Sequence, residues 1–316
     1  MNDMKINAQL AIILVNWNGT EDTINCIESL YKSTFKDYII IVVDNGSDEP
    51  QIQKLIDCDF DITIIQTGEN LGYTGGNNVG IDYALNKNSK YVLLLNNDTY
   101  IATDALENMV ISADSDKTIG VLSPKIFFHP SRHLIWSAGA TFNNTNLTGN
   151  LSGYKKEDKE IYNQRGDVDY VSGCAMLIRT QVIKEVGKLC DDYFATCEDI
   201  DFCFKVKKQG HRIFYEPAAT VWHIESSSSG GSDAPQYAYY QTRNNFLFHN
   251  RWAQSLVQLF VSHLYYSVFI VKRSFLFMIN GNFRGVLAIL LGVKDVVVGN
   301  FGRRDYRVLN KSIYKK

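Results

Sequence analysis

Four apolar runs in the first hundred residues each lead into a cluster of small polar side chains, and that alternation restricts the chain to very few architectures. Leu10-Ala-Ile-Ile-Leu-Val15 ends at Asn16-Trp17-Asn18-Gly19, and Tyr38-Ile-Ile-Ile-Val-Val43 ends at Asp44-Asn45-Gly46-Ser47. Ile62-Thr-Ile-Ile65 leads to Asn70-Leu-Gly72-Tyr-Thr-Gly75-Gly76-Asn77-Asn78, and Tyr91-Val-Leu-Leu-Leu95 ends at Asn96-Asn97-Asp98. Helical patterns separate the runs. One opens at Gly19–Asp22, with Ile24, Ile27, Leu30 and Tyr31 apolar and acidic residues in its first turn, where the helix dipole favours them. Another runs from Gly75 to Leu85. Near-continuous apolar strands alternating with helices read as an α/β fold, a mostly parallel sheet with helices on both faces. Ligands of such sheets bind beyond the carboxyl ends of the strands. One parallel sheet would therefore bring all four polar clusters to one edge. Taken singly, each cluster is also an ordinary turn or helix cap.

The rest of the chain is less regular. Residues 119–180 contain Pro124 and Pro130 and an Asn/Thr/Gly-rich patch at 143–153, which reads as a surface loop or hairpin. Tyr170–Ile178 returns to a strand. Glu198-Asp199-Ile-Asp201 opens a helix with Lys205, Lys207 and Lys208 near its end and Gly210 beyond, acid first and base last. His211–Tyr215 and Ala219–His223 read as two further strands, and Ser226–Ser232 as a Ser/Gly-rich flexible loop. From about 234 the pattern is helical. These readings divide the chain into 1–232, an α/β domain, and 233–316, a helical, basic and apolar extension.

Charge separates the same two regions. The net charge of −2 conceals 20 basic against 32 acidic residues over 1–242, and 12 basic against 2 acidic over 243–316. The acidic part argues against a nucleic-acid partner. The basic end argues for an anionic one, a membrane surface among the candidates. Residues 255–271 carry a polar stripe on a wide apolar helix. A spanning helix needs about 20 predominantly apolar residues, so this one reads as lying on a membrane or packing against protein. The six cysteines show no paired spacing and suggest a reduced, cytoplasmic setting. Leu10–Val15 is too short for a signal-peptide apolar region and reads as a first strand.

The clusters suit a nucleotide. A carboxylate such as Asp44 accepts hydrogen bonds from a base or ribose, and Gly75-Gly76 at a helix start lets N–H groups approach an anion. Asp98 at a strand end suits a divalent cation, and a cation suits a phosphate-bearing substrate. Asn16 to Asp22 lack the Gly-x-Gly-x-x-Gly of dinucleotide enzymes, and no Walker A pattern occurs anywhere. Asn16–Thr20 holds no basic residue, which argues against a nucleotidyltransferase that would make a sugar donor.

Val15-Asn-Trp-Asn-Gly19, Val42-Val-Asp-Asn-Gly-Ser47, Glu69-Asn-Leu-Gly-Tyr-Thr-Gly-Gly-Asn-Asn78, Leu93-Leu-Leu-Asn-Asn-Asp98, Gly173-Cys-Ala-Met-Leu-Ile178 and Glu198-Asp-Ile-Asp-Phe-Cys203 follow one another in that order. Together they resemble the family 2 glycosyltransferases of GT-A fold, in particular a rhamnosyltransferase-like branch that builds bacterial surface polysaccharide. The resemblance covers roughly residues 8–250. It implies an inverting transfer of a sugar, rhamnose among the candidates, from a nucleoside diphosphate to a hydroxyl of a glycan or lipid-linked acceptor. It implies Asp44 at the nucleotide base, with Asn16, Asn70, Gly75, Asn77, Asn96 and Asn97 also on the donor side. Asp98 matches the last carboxylate of the family's Asp-x-Asp motif, whose first position is here Asn96. Asp98 and His223 would hold Mg2+ or Mn2+, and Asp199 would be the catalytic base. Glu198 and Asp201 read as support or helix-start acids, and Trp136 and Trp222 as core residues or the lining of a sugar site. A non-catalytic, membrane-associated module that binds a nucleotide sugar is the other reading, and turnover separates the two. The setting implied is cytoplasmic, at the inner face of the plasma membrane.

Overall fold

The computed structural model describes residues 8–224 and 233–304. The Ser226–Ser232 loop and the basic residues beyond 304 lie outside them. The chain forms two compact units. The first comprises Met1–Thr141, Gly149–Cys190 and Asp199–Ser228. The second comprises Phe142–Thr148, Asp191–Glu198 and Ser229–Lys316, so two short segments upstream of residue 233 pack with the C-terminal helices.

The first unit opens with β1 (Leu10–Asn16), α1 (Thr20–Tyr31), β2 (Tyr38–Asp44), α2 (Glu49–Ile56), β3 (Thr63–Gln66), α3 (Gly72–Asn86) and β4 (Tyr91–Leu95). The four strands run parallel in the order β3-β2-β1-β4, with Asn16 opposite Asp44 and Leu14 opposite Leu95. The strand-end clusters therefore do share one edge. β1 is buried on both faces. Leu10, Ile12 and Leu14 join the core with Cys26, Ile27 and Leu30 of α1, and Ile13 and Val15 lie against α3.

The glycines of α3 set how closely that helix approaches. A Cβ on Gly76 would meet Val15 Cγ1 at 2.8 Å, and one on Gly80 would meet Ile13 Cγ2 at 2.5 Å. Two glycines one turn apart thus let the helix rest directly on β1. Gly80→Ala should cost about 1–3 kcal/mol, the usual penalty for overpacking a filled core. Chemical denaturation checks this, and an unchanged midpoint would show that the helix can move away freely.

The sheet then ceases to be parallel. After β5 (Thr99–Ile101) and α4 (Ala105–Ser115) come β6 (Ile119–Phe128) and β7 (Leu134–Ser137). The hairpin β8 (Ala140–Asn143) and β9 (Thr148–Leu151) occupies the patch expected as a loop or hairpin. Two-residue strands β10 (Lys156–Glu157) and β11 (Gly166–Asp167) precede β12 (Ala175–Arg179), α5 (Thr180–Val186), α6 (Glu198–Lys208) and β13 (Arg212–His223). β12 inserts antiparallel between β4 and β6, and β13 pairs parallel with β6 and antiparallel with β5. The parallel expectation thus holds for β3-β2-β1-β4, and the other half of the sheet is mixed. The strand expected over 170–178 is confined to 175–179. The two strands expected at 211–215 and 219–223 are one element, irregular between Glu216 and Thr220, opposite Pro124 and Lys125. Proline cannot donate to a ladder and is tolerated at such irregularities.

The second unit contains α7 (Pro235–Trp252), α8 (Leu256–Ile279) and α9 (Phe283–Val298). Ser255 caps α8 by accepting from the Gln258 N–H, and Asn282 caps α9 by accepting from Gly285. Gly299, left-handed at φ +69°, ends α9. Among the described residues, no helix is long and apolar enough to cross a membrane.

Candidate active site

The polar clusters interlock through a relay of side chains. Asn16 Nδ2 donates to Asp44 Oδ1 at 3.1 Å, and Asn16 Oδ1 accepts from Thr23 Oγ1 at 2.9 Å. Asn97 Nδ2 donates to Thr23 Oγ1 at 2.9 Å and to the Gly19 carbonyl at 3.3 Å. This chain of bonds ties the ends of β2, β1 and β4 together. Asn16 is fully buried, so its amide braces the edge from within. Asn97 likewise points toward α1. Asp44 is itself 2% exposed, with its other oxygen accepting from the Ser47 N–H at 3.2 Å. Each carboxylate oxygen retains a further lone pair for a ligand.

The loop after β3 is held by a residue that the sequence reading quoted but did not single out. Asn45 Oδ1 accepts from the Leu71 N–H at 2.9 Å, and Asn45 Nδ2 donates to Asn70 Oδ1 at 3.2 Å and the Gly72 carbonyl at 3.0 Å. Asn70 Oδ1 also accepts from the Gly72 N–H at 2.8 Å. α3 consequently starts at Gly72, one turn earlier than expected. Gly75 lies inside the first turn against Leu71, where a Cβ would come within 2.7 Å of the Leu71 Cβ. Asn77 is buried and donates to the Tyr73 carbonyl at 2.9 Å. The helix start thus lies at Gly72 rather than at Gly75, and the Leu71 and Gly72 N–H groups are taken by the Asn45 and Asn70 side chains.

Asp98 and His223 come together. β5 follows Asp98 directly and pairs with the last residues of β13, Thr99 opposite His223. His223 Nε2 lies 3.1 Å from Asp98 Oδ1 and 3.3 Å from Asn96 Nδ2. Both Asp98 and His223 are 5% exposed. Burial works against the charged imidazole, but the Asp98 carboxylate at 3.1 Å favours it, and the imidazole pKa lies above the ordinary histidine value. His223 Nδ1 is buried with no hydrogen-bond partner, and the Trp136 ring stands edge-on to the imidazole at 4.9 Å. Trp222, the preceding residue, faces the other way and packs with Phe127, Ile135 and Tyr215. Trp136 thus lies between His223 and the main core, whereas Trp222 packs in the smaller cluster.

Asp199 reaches the same sheet edge from α6. Its Oδ2 accepts from the Gly173 N–H at 3.0 Å and its Oδ1 from the Ile200 N–H at 2.8 Å. The next residue, Cys174, accepts from the Asn96 N–H at 2.8 Å, so Asp199 meets the chain one residue from the end of β4. Tyr73 O–H donates to the Gly173 carbonyl at 2.6 Å and links α3 to the same point. Burial raises the Asp199 pKa above the ordinary carboxylate value, and the two backbone N–H groups partly offset it. Asp201, fully buried, faces Lys205 Nζ at 3.7 Å and serves the helix.

A carboxylate oxygen and an imidazole nitrogen about 3 Å apart have the separation of neighbouring ligands on one divalent ion with bonds of about 2.1 Å. The orphaned, buried Nδ1 leaves Nε2 to carry the interaction. Among the described residues, no group of three or more His, Cys, Asp or Glu side chains converges as a metal site. The donor types of Asp98 and His223, a carboxylate oxygen and an imidazole nitrogen, are ones that suit a divalent cation.

A parallel nucleotide-type half-sheet, an antiparallel insertion at β12 and an acidic, His-bearing edge define a GT-A-type fold, as in glycosyltransferases. The chain belongs to glycosyl transferase family 2, whose profile matches residues 11–187. It is 29% identical over 245 residues to the low-salt glycan biosynthesis hexosyltransferase Agl10 of Haloferax volcanii, covering 76% of this chain and 75% of that protein. It is 24% identical over 226 residues to a poly-beta-1,6-N-acetyl-D-glucosamine synthase of Staphylococcus aureus, covering 70% of this chain and only 51% of the synthase. Two solved structures share the fold. The mannosyltransferase PcManGT from Pyrobaculum calidifontis, in complex with GDP-Man and Mn2+, superposes with a TM-score of 0.55 at 14% identity, over 93% of this chain and 76% of that one. Residues 1-349 of S. aureus TarS superpose with a TM-score of 0.55 at 15% identity, over 94% of each chain. At these identities the likeness is one of fold.

Proposed function

We propose that this glycosyltransferase moves a hexosyl unit, rhamnose among the candidates, from a nucleoside diphosphate to a hydroxyl of a glycan or lipid-linked acceptor, with inversion at the anomeric carbon. The observation that carries the reading is the meeting of Asp98, His223 and Asn96 at 3.1–3.3 Å beside the Asp199–Gly173 contact. In this reading Asp44 receives the nucleotide base. Asn70 shapes the loop over the donor, and Asn16, Asn97 and Asn77 hold the frame from inside. Gly75 keeps the first turn of α3 narrow. The enzyme works at the inner, cytoplasmic face of the plasma membrane, and the names of the relatives support a glycan product.

Asp98 and His223 would hold Mg2+ or Mn2+, with Asn96 as a neutral neighbour. An imidazole nitrogen among the donors suits Mn2+ better than the harder Mg2+. When bound, the cation supplies charge neutralisation to the departing diphosphate. Asp199 accepts the proton of the acceptor hydroxyl as its oxygen bonds to the anomeric carbon. The bond from that carbon to the diphosphate oxygen breaks on the opposite face, which releases the nucleoside diphosphate. The raised pKa of Asp199 brings it nearer the operating pH, where a general base is most effective.

A panel of nucleotide sugars, assayed for nucleoside diphosphate release with and without Mn2+ or Mg2+, tests the reading. One donor should turn over, and only with cation. Binding without turnover across the panel would leave a non-catalytic module instead. Asp98→Ala should weaken cation-dependent donor binding roughly tenfold or more. A cation titration superimposable on that of the unaltered protein would remove Asp98 from the metal site.

A further inference from the structure

α8 is amphipathic in reverse. Its packed positions are Ser262, Tyr266, Ile270 and Phe277, all buried. Tyr266 O–H donates to the Gln241 carbonyl of α7 at 3.0 Å, and the Arg273 guanidinium binds the Gln241 side chain. The opposite side carries Val257, Phe260, Leu264, Val268, Val271, Phe275 and Met278, spaced by three or four residues, hence one stripe of a helix. Each is between 46% and 73% exposed. Seven large apolar side chains so placed form a stripe about 30 Å long at the helical rise. α9 continues the pattern, with Phe283, Leu287, Leu290 and Val297 exposed and Ala288, Ile289 and Gly292 buried. Monomeric proteins in water rarely expose continuous apolar surfaces of this extent.

Charge indicates what covers this face. Lys272, Arg284 and Lys294 are the exposed charged residues of α8 and α9. The two helices hold a single carboxylate, Asp295, which is 2% exposed, accepts from the Tyr239 O–H at 2.5 Å and pairs with Arg304. Lys272 lines a shallow open groove with Ser267, Val268, Val271 and Phe275, so its stem can run along apolar surface while the ammonium reaches outward. An apolar stripe flanked by cations, with no exposed carboxylate on either helix and the exposed Asp233 only beside the start of α9, is complementary to a bilayer with anionic headgroups. A helix packed along one side against protein and apolar along the other lies in the interface plane rather than across it.

We infer that α8 and α9 form an in-plane docking surface for an anionic lipid bilayer, with the stripe from Val257 to Met278 buried among the acyl chains and Lys272, Arg284 and Lys294 at the headgroups. This deepens the proposed placement at a membrane and rests on it, but it does not depend on the identity of the donor.

Sedimentation of the full chain with vesicles tests it, using phosphatidylcholine alone and phosphatidylcholine containing phosphatidylserine. The protein should pellet with the anionic vesicles, with a partition coefficient falling roughly a hundredfold when Lys272, Arg284 and Lys294 are all replaced by Gln, at about a factor of five per charge. The triple variant L264N, V268N and V271N alters only exposed positions. It should fail to pellet while retaining nucleoside diphosphate release from a water-soluble acceptor assay. Pelleting of that variant as strongly as the unaltered chain would overturn the inference. Failure of the unaltered chain to bind either vesicle, with a concentration-dependent dimer that the triple variant abolishes, would also overturn it and make a second copy the occupant. If the unaltered chain pellets with anionic vesicles but releases nucleoside diphosphate from no donor, the transferase reading fails and the docking surface stands.

Discussion

Asp199→Asn should reduce sugar transfer by about 10²–10⁴-fold, the contribution of a positioned general base, while donor binding stays within a fewfold of normal. The amide keeps an oxygen that can accept from the Gly173 or Ile200 N–H group, so the local fold is preserved. What is lost is the basic oxygen. In the proposed mechanism the active form is the carboxylate, and burial raises its pKa. Transfer should accordingly fall as pH drops through a value above the ordinary carboxylate range, and that acidic limb should be absent from the residual activity of the Asn variant. Near-normal turnover in the variant, or an acidic limb unchanged by it, would reassign the base. Isothermal titration with the nucleoside diphosphate separates binding from chemistry.

Arg243→Met should destabilise the second unit by about 4 kcal/mol, because hydrogen bonds from a charged donor contribute about 1.5–3 kcal/mol each and the acceptors left behind are buried. Arg243 is fully buried. Its Nη2 donates to the Asp192 carbonyl at 2.8 Å and the Tyr193 carbonyl at 2.9 Å, and its Nη1 to the Gly302 carbonyl at 2.6 Å. Its Nε donates to Asn244 Oδ1 at 2.9 Å, and Asn244 Nδ2 donates in turn to the Tyr193, Ala195 and Thr196 carbonyls at 2.6–3.0 Å. The Tyr239 and Tyr240 rings lie 5.4 Å and 5.0 Å from the guanidinium carbon. The segment so held contains Phe194, Thr196 and Cys197 at φ between +63° and +69°, an unfavourable conformation for residues other than glycine. The Arg243–Asn244 clasp offsets part of that cost. Native-state hydrogen exchange of the amides from Asp192 to Cys197 should accelerate together with those of α7. Unchanged protection would show that the clasp follows the turn rather than holding it.

Much of the first unit was legible in the order of residues. A strand buried on both faces must be apolar throughout, so β1, β2 and β4 stand out as unbroken runs and their polar ends mark one sheet edge. The helix from Glu198 was equally plain, with acids first, lysines last and Gly210 at φ +91° beyond it. β6 was hidden because Pro124 breaks its pattern, and only the irregular stretch of β13 opposite it explains why a proline is accepted there. α2 escaped notice because an eight-residue helix that buries only Ile52 and Leu55 leaves almost no periodic signal. The clasp was invisible for another reason. Arg243 and Asn244 look like surface residues of a polar helix, and their partners lie about fifty residues away along the chain.

The sequence by itself determined the kind of edge this protein builds, since short polar groups after buried parallel strands have no other place to go. It also determined the chemistry available there, a carboxylate at Asp98, another at Asp199 and a histidine at the end of an apolar strand. Only the tertiary structure decided which of those polar groups face a ligand. Asn16 and Asn97 are the same residue type at the same kind of strand end as Asn96, yet the first two turn inward to Asp44 and Thr23 while Asn96 turns to His223. A side chain's direction depends on what the neighbouring strand places beside it, and those neighbours are remote in sequence. The same holds for α8. Its apolar content is plain from the residues, but which side packs on α7 and which is left outward is settled by the partner helices, and they leave the apolar side facing out.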